Sequence, residues 1–162
     1  MKAGILLSSV ALVAALGTLD AIAREPQQMG QNATGLCNAM APATEASLRK
    51  FPLSLKNVGT VSNPIACSIP GDQLLPGATT VYVWLRNESA PTAVTVDCIM
   101  VDGDTAITGS VSYPQSITLQ PGELAPNTWN ASNYGLTYFR KRSNLNCTLP
   151  PGVSMTLVGW NV

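Results

Sequence analysis

The stretch VYVWLRNESAPTAVTVDCIM, Val81 to Met100, decides the fold of this chain. Val81, Val83 and Leu85 alternate with Tyr82, Trp84 and Arg86; after a short break Val94, Val96, Cys98 and Met100 alternate with Thr95 and Asp97. Successive side chains of a strand point to opposite faces, so a period of 2 is the pattern of a strand with one buried side. The break, NESAP from Asn87 to Pro91, has turn chemistry, and the two runs are predicted to pair as a β-hairpin.

Working outward, TVSNPIACSIPG sets Ile65, Cys67 and Ile69 on one face, and SNLNCTLPPG does the same with Leu145, Cys147 and Leu149. In both, a cysteine turned toward the core is followed by Ser or Thr, an aliphatic residue, and then proline and glycine. Proline has no N–H to give a ladder, so the motif reads as a strand terminus. Further strands are predicted at Thr105 to Tyr113, Ser116 to Gln120, Gly135 to Arg140 and Ser154 to Val162. Turn signals stand at DGD (Asp102 to Asp104), QPGE (Gln120 to Glu123) and PPG (Pro150 to Gly152). Only Ala43 to Lys50 offers a helical turn or two. About eight short strands at regular spacing predict an all-β chain, a single antiparallel β-sandwich.

The chain divides into three parts. Lys2, the apolar run Ile5 to Leu16 and Ala21-Ile22-Ala23 have the order of a signal peptide, with cleavage expected after Ala23. Residues 24–45 read as an irregular N-terminal segment and residues 46–162 as the sandwich domain. No stretch beyond the leader has the roughly 20 apolar residues of a membrane span.

An export signal places the four cysteines in an oxidising compartment, where two disulfides are the default. Cys37, Cys67, Cys98 and Cys147 contain no C-x-x-C pair and the chain has no histidine, which argues against zinc. Three connectivities are open. Cys98 and Cys147 are both core-phase strand residues, and Cys37 would tie the irregular segment to its nearest strand through Cys67, so Cys37–Cys67 with Cys98–Cys147 is preferred.

The strand-ending cysteine pattern at Cys67 and Cys147, the VYVWLRN…VTVDCIM pair and the final NCTLPPGVSMTLVGWNV resemble a group of small exported, disulfide-bonded, β-sandwich-like proteins of Gram-negative bacteria. The resemblance covers Cys37 to Val162. It implies a secreted or periplasmic location and the fold, and transfers no functional residue. Cys67 departs from the group, being followed by Ser-Ile-Pro where proline would come directly.

With nine Lys and Arg against nine Asp and Glu, the chain lacks the electrostatic footprint of a nucleic-acid binder. Without histidine, Ser-His-Asp and Cys-His sites are impossible, and the cysteines are committed to bridges. Asp97, Asp102 and Asp104 are the carboxylates that a glycosidase could use or a hard cation could meet; they read as turn formers. No enzyme and no cofactor are expected. Two surfaces are candidates for binding. Tyr82, Trp84 and Arg86 form an aromatic row if the valine face is core, whereas a sheet covered on both faces would bury Trp84. Tyr138, Arg140 and Arg142 form an aromatic-basic cluster suited to anions, or else a charged strand end that protects an edge. The main expectation is a non-catalytic protein-interaction or structural envelope protein whose partner is another envelope protein. The alternative is a carbohydrate-binding module that holds a polysaccharide on the Tyr-Trp-Arg face.

Overall fold

The computed structural model describes residues 28–70, 77–104, 109–140 and 143–161. In chain order they form β1 (Gln28–Asn32), the single helical turn α1 (Ala33–Leu36), β2 (Cys37–Ala39), a second turn α2 (Pro42–Glu45), β3 (Leu48–Phe51), β4 (Ser54–Asn57) and β5 (Asn63–Ile69). There follow β6 (Thr80–Asn87), β7 (Val94–Asp104), β8 (Gly109–Leu119), β9 (Leu124–Asn130), a 3-10 turn at Ala131–Tyr134, β10 (Ser143–Leu149) and β11 (Val153–Asn161). These strands make two antiparallel sheets. The first runs β3-β4-β11-β6-β9 with β1 also beside β11, and the second runs β2-β5-β10-β7-β8. The protein is a β-sandwich stapled by two disulfides.

The expected hairpin between Val81 and Met100 does not form. β6 pairs with β11 and β9 in the first sheet, while β7 pairs with β10 and β8 in the second. Both alternations are real, and their apolar faces look at each other across the core instead of lying side by side. Asn87 builds the crossover between them. Buried, it donates from Nδ2 to the Thr92 and Leu119 carbonyls at 3.1 and 3.4 Å and accepts from the Ala90 N–H at 3.1 Å, so the turn chemistry of NESAP serves an arch between sheets.

Four further expectations are corrected. Residues 28–45, assigned to an irregular segment, hold β1 and β2, each paired into a sheet; their glycines and alanines give no apolar alternation to read. The leader, residues 1–23, lies outside the described residues. The two strands expected at Thr105 to Tyr113 and Ser116 to Gln120 are one strand, β8, running through Pro114; DGD lies within β7, not in a turn. Proline is tolerated because β8 is an edge strand whose outward side needs no N–H. The same reason explains β9, an edge strand not expected from LAPNTWN because of Pro126. Gly135 to Arg140, expected as a strand, follows the 3-10 turn as irregular chain.

The core lies between Leu55, Val81, Val83, Leu85, Trp129, Met155 and Val158 of the first sheet and Ile65, Met100, Leu119, Leu145 and Leu149 of the second. Each such side chain is worth about 1.5–3 kcal/mol when fully buried. Both disulfides take the preferred pairing, and both join directly opposite residues within the second sheet, with Cα separations of 4.0 Å for Cys37–Cys67 and 4.1 Å for Cys98–Cys147. Met155 crosses from the first sheet and sets its thioether 3.6 Å from both sulfurs of the Cys37–Cys67 bridge. A disulfide sulfur has no proton to donate, so this is packing by a soft, polarizable side chain. Cys67 and Cys147 each stand two residues before their strand's last residue, and Pro70 and Pro150 follow.

Candidate functional site

On β6 the inward side chains Val81, Val83 and Leu85 are fully buried, and strict alternation sends Tyr82, Trp84 and Arg86 to the outer face of the first sheet. The three are not equivalent there. Tyr82 is buried because its ring lies flat over Gly159, where any Cβ would collide with it. Its hydroxyl accepts a hydrogen bond from Gln28 Nε2 at 2.8 Å. Trp84 is half-buried, in register with Pro126 on β9 and Leu157 on β11. Arg86 is exposed, beside Leu124 and Ser154. Tyr82 therefore forms the floor of the row, and Trp84 and Arg86 are its accessible members.

One carboxylate joins them. Glu88, two residues beyond Arg86, binds Lys56 Nζ at 2.9 Å and accepts from the Ser154 hydroxyl at 2.7 Å. Partial burial acts to raise its pKa. The Ser154 and Lys56 hydrogen bonds and the charges of Lys56 and Arg86 outweigh that and hold it below the usual carboxylate value, so it is an anion at neutral pH.

The second predicted surface is described only in part. Tyr138 is 44% exposed, but the neighbouring Phe139 is fully buried against Tyr113 and Tyr134, with ring centroids 5.5 and 6.2 Å away. Arg140 is exposed, with donors engaged close by: its backbone N–H donates to Asp102 at 2.7 Å, and its guanidinium donates to the Gly109 carbonyl at 3.2 Å. Arg142 lies outside the described residues. The carboxylates also separate. Asp97 points outward from β7 and accepts from Ser116 at 2.6 Å, whereas Asp102 points inward, 3% exposed, and accepts from Ser143 at 3.2 Å. Burial drives the Asp102 pKa up against these donors. Two carboxylates on opposite faces of one strand cannot flank one bond.

An open cleft of about 580 Å³, which no motif announces, lies at the end of the sandwich that carries the β10–β11 turn. Lys56, Val58, Pro91, Val94, Pro150 and Pro151 are among the residues that line it. Those residues come from the end of β4 and the chain after it, the start of β7 and the chain before it, and the β10–β11 turn, and only the topology brings them together.

Neither a protein-family model nor a curated protein matches the sequence. Among solved structures, the chain is similar to the CBM22-2 xylan-binding domain of Xyn10C from Paenibacillus barcinonensis, with 10% identity, a TM-score of 0.49, and coverage of 83% of this chain and 99% of that one. It is similar to the family 11 carbohydrate-binding module of Clostridium thermocellum, in complex with a β-1,3-1,4-mixed-linked tetrasaccharide, with 10% identity, a TM-score of 0.42, and coverage of 84% and 83%. It is also similar to the enzymatically active domain of tailspike protein 4 of bacteriophage CBA120, with 10% identity, a TM-score of 0.40, and coverage of 85% of this chain and 19% of that one. At such values these likenesses transfer neither a ligand nor a residue to this chain.

Proposed function

We propose that this protein is a non-catalytic carbohydrate-binding protein of an oxidising compartment outside the cytoplasm, and that it holds a glycan on the outer face of its first sheet. The observation that carries this reading is the position of Trp84. Of the three tryptophans, Trp129 and Trp160 are buried in the core, and Trp84 alone is half-exposed on a sheet face. Pro126 and Leu157 flank it in register on the two neighbouring strands, and its indole N–H makes no hydrogen bond among the described residues. An aromatic face with a free donor matches a sugar ring, which has an apolar C–H side and polar edges. Arg86, next along the strand on the same face, supplies further donors.

The test is affinity electrophoresis of the oxidised protein through gels containing purified polysaccharides, comparing the natural chain with Trp84→Ala. Retardation by a glycan that disappears in the variant supports the reading. Retardation unchanged by the substitution removes it. A second reading, a protein-interaction or structural role, is favoured by the exposed apolar side chains Phe51 and Leu53 at the β3–β4 turn and Val58 and Val61 beyond β4. A stoichiometric protein partner, with no glycan retained, would support that reading in its place.

A further inference from the structure

The outer face of the first sheet carries a charge pattern that sugar stacking alone leaves unused. Register sets Arg86 on β6, Ser154 on β11, Lys56 on β4 and Arg49 on β3 in one row across four strands. With neighbouring strands about 4.8 Å apart, the row spans roughly 14 Å. Trp84 stands two residues from Arg86, about 6.8 Å along the strand. Within the row Glu88 neutralises Lys56. Arg86 and Arg49 are exposed and make no hydrogen bond or ion pair among the described residues. The other described carboxylate side chains lie elsewhere: Asp97 and Asp102 on β7, Glu45 in α2, and Glu123 turned back to accept from the Gln120 N–H.

Three of the nine Lys and Arg of a charge-poor chain thus stand in one line beside the accessible indole. Protection of a sheet edge accounts for Arg49 and its neighbour Lys50 on β3. It does not account for Arg86, which stands on a strand flanked on both sides by β11 and β9. A guanidinium is a planar fork of donors that matches a carboxylate with two parallel hydrogen bonds. Resting on the glycan reading above, we infer that the ligand is an anionic polysaccharide bearing uronic acid carboxylates. The chain lies across the strands, with one sugar over Trp84 and carboxylates meeting Arg86 and Arg49.

The probes are sodium polygalacturonate and the same polymer after reduction of its carboxyl groups, titrated calorimetrically into the oxidised protein and into Trp84→Ala, Arg86→Gln, an Arg49→Gln/Arg86→Gln double variant and Glu88→Gln. The acidic polymer is expected to bind about tenfold more tightly than the reduced one. The double variant should lose that advantage, so that the acidic polymer binds it no more tightly than the reduced one. Raising salt from about 0.05 to about 0.3 M should weaken the acidic polymer alone. Glu88→Gln frees Lys56 and should tighten it about two- to threefold. Equal binding of both polymers, indifferent to the arginine variants, overturns the anionic ligand and leaves the Trp84 reading standing. Acidic-polymer binding that survives both Trp84→Ala and the double variant locates the attraction off this face and overturns the inference. Failure of both polymers, and of neutral glycans in the electrophoresis, overturns both readings.

Discussion

Removing the two disulfides separately should cost nearly the same global stability and yet loosen different parts of the molecule. The bridges span 30 residues for Cys37–Cys67 and 49 for Cys98–Cys147. The chain-entropy relation turns those separations into about 3.6 and about 4.1 kcal/mol at 25 °C. The folded states differ far more than these figures. Cys98 and Cys147 sit inside β7 and β10, which pair over six residues, and β10 is held on its other side by β5. Cys37 sits in β2, an edge strand held by three residue pairs to β5 alone, and Met155 packs onto its bridge. In a Cys37→Ala/Cys67→Ala variant, β2 and the adjoining turn α1 are expected to open locally. Their amides should exchange hydrogen far faster than those of β5 and β10. In Cys98→Ala/Cys147→Ala, exchange in β2 and α1 should stay slow relative to global unfolding. Urea unfolding measures the first quantity and native-state hydrogen exchange the second. A Cys37–Cys67 variant whose stability falls by less than about 1 kcal/mol, with β2 still protected, would refute the assignment of β2 as a strand that its bridge holds in place.

Two further substitution pairs test the backbone and the buried charge. Gly77 has φ +137°, and a Cβ there would collide with the Phe139 carbonyl, whereas Gly109 has φ +72° with open space around it. Gly77→Ala should therefore cost at least about 3 kcal/mol and Gly109→Ala about 1 kcal/mol in chemical denaturation; equal losses would contradict the close approach of residues 77 and 139. Asp102 has a folded pKa raised by burial above its ordinary value of 3.8, so its contribution to stability is full below that value and is lost as pH rises through the folded pKa. Asp102→Asn should remove this decline. Glu88, lowered from 4.5, runs the other way: its contribution is present above 4.5 and is lost as pH falls through its folded value, so Glu88→Gln should lose stability at neutral pH but little in acid. Thermal unfolding from about pH 2 to about pH 8 measures both, and pH curves that match the natural chain for either variant would reject the corresponding environment.

Alternation told which side of each strand is buried, and on that point Val81, Val96, Ile65 and Leu145 read correctly. It could not tell which strand lies next to which. A hairpin and an arch between sheets both bury Val83 and Cys98, and the choice is made by Asn87, whose partners at Thr92 and Leu119 are invisible until the fold exists. Strands containing proline or lacking bulky apolar residues were illegible for a related reason. Pro114 and Pro126 are unremarkable at sheet edges but forbidding in a central strand, and a sequence does not mark its edges. The disulfide preference survived because it needed only two facts, that Cys98 and Cys147 share the core phase and that Cys67 is the strand cysteine nearest Cys37.

The candidate site divides along the same line. Trp84 differs in parity from Val81, and Val81 stands in register between Trp160 and Trp129, so one row of the inner face reads Trp, Val, Trp. Trp84 stands three positions along from Val81, an odd step, which fixes it on the opposite face; a one-residue slip of β6 would exchange Trp84 for a core valine. Parity is local, and it was readable. How much of the row stays open is not local: Gly159, far along the chain, is what lets Tyr82 lie down into the floor, and a side chain there would have lifted the ring beside Trp84. The charge of the face is equally nonlocal, since Arg49 and Lys56 reach Arg86 only through the pairing of β3, β4 and β11. Arg140, by contrast, looked like part of a basic surface in sequence because its neighbours are charged; it is exposed, but the Gly109 carbonyl engages its guanidinium and Asp102 on β7 its backbone N–H, partners that only the fold brings to it. A binding face on a sandwich is assembled across strands, so the residues that set its chemistry are the ones a linear reading is least able to group.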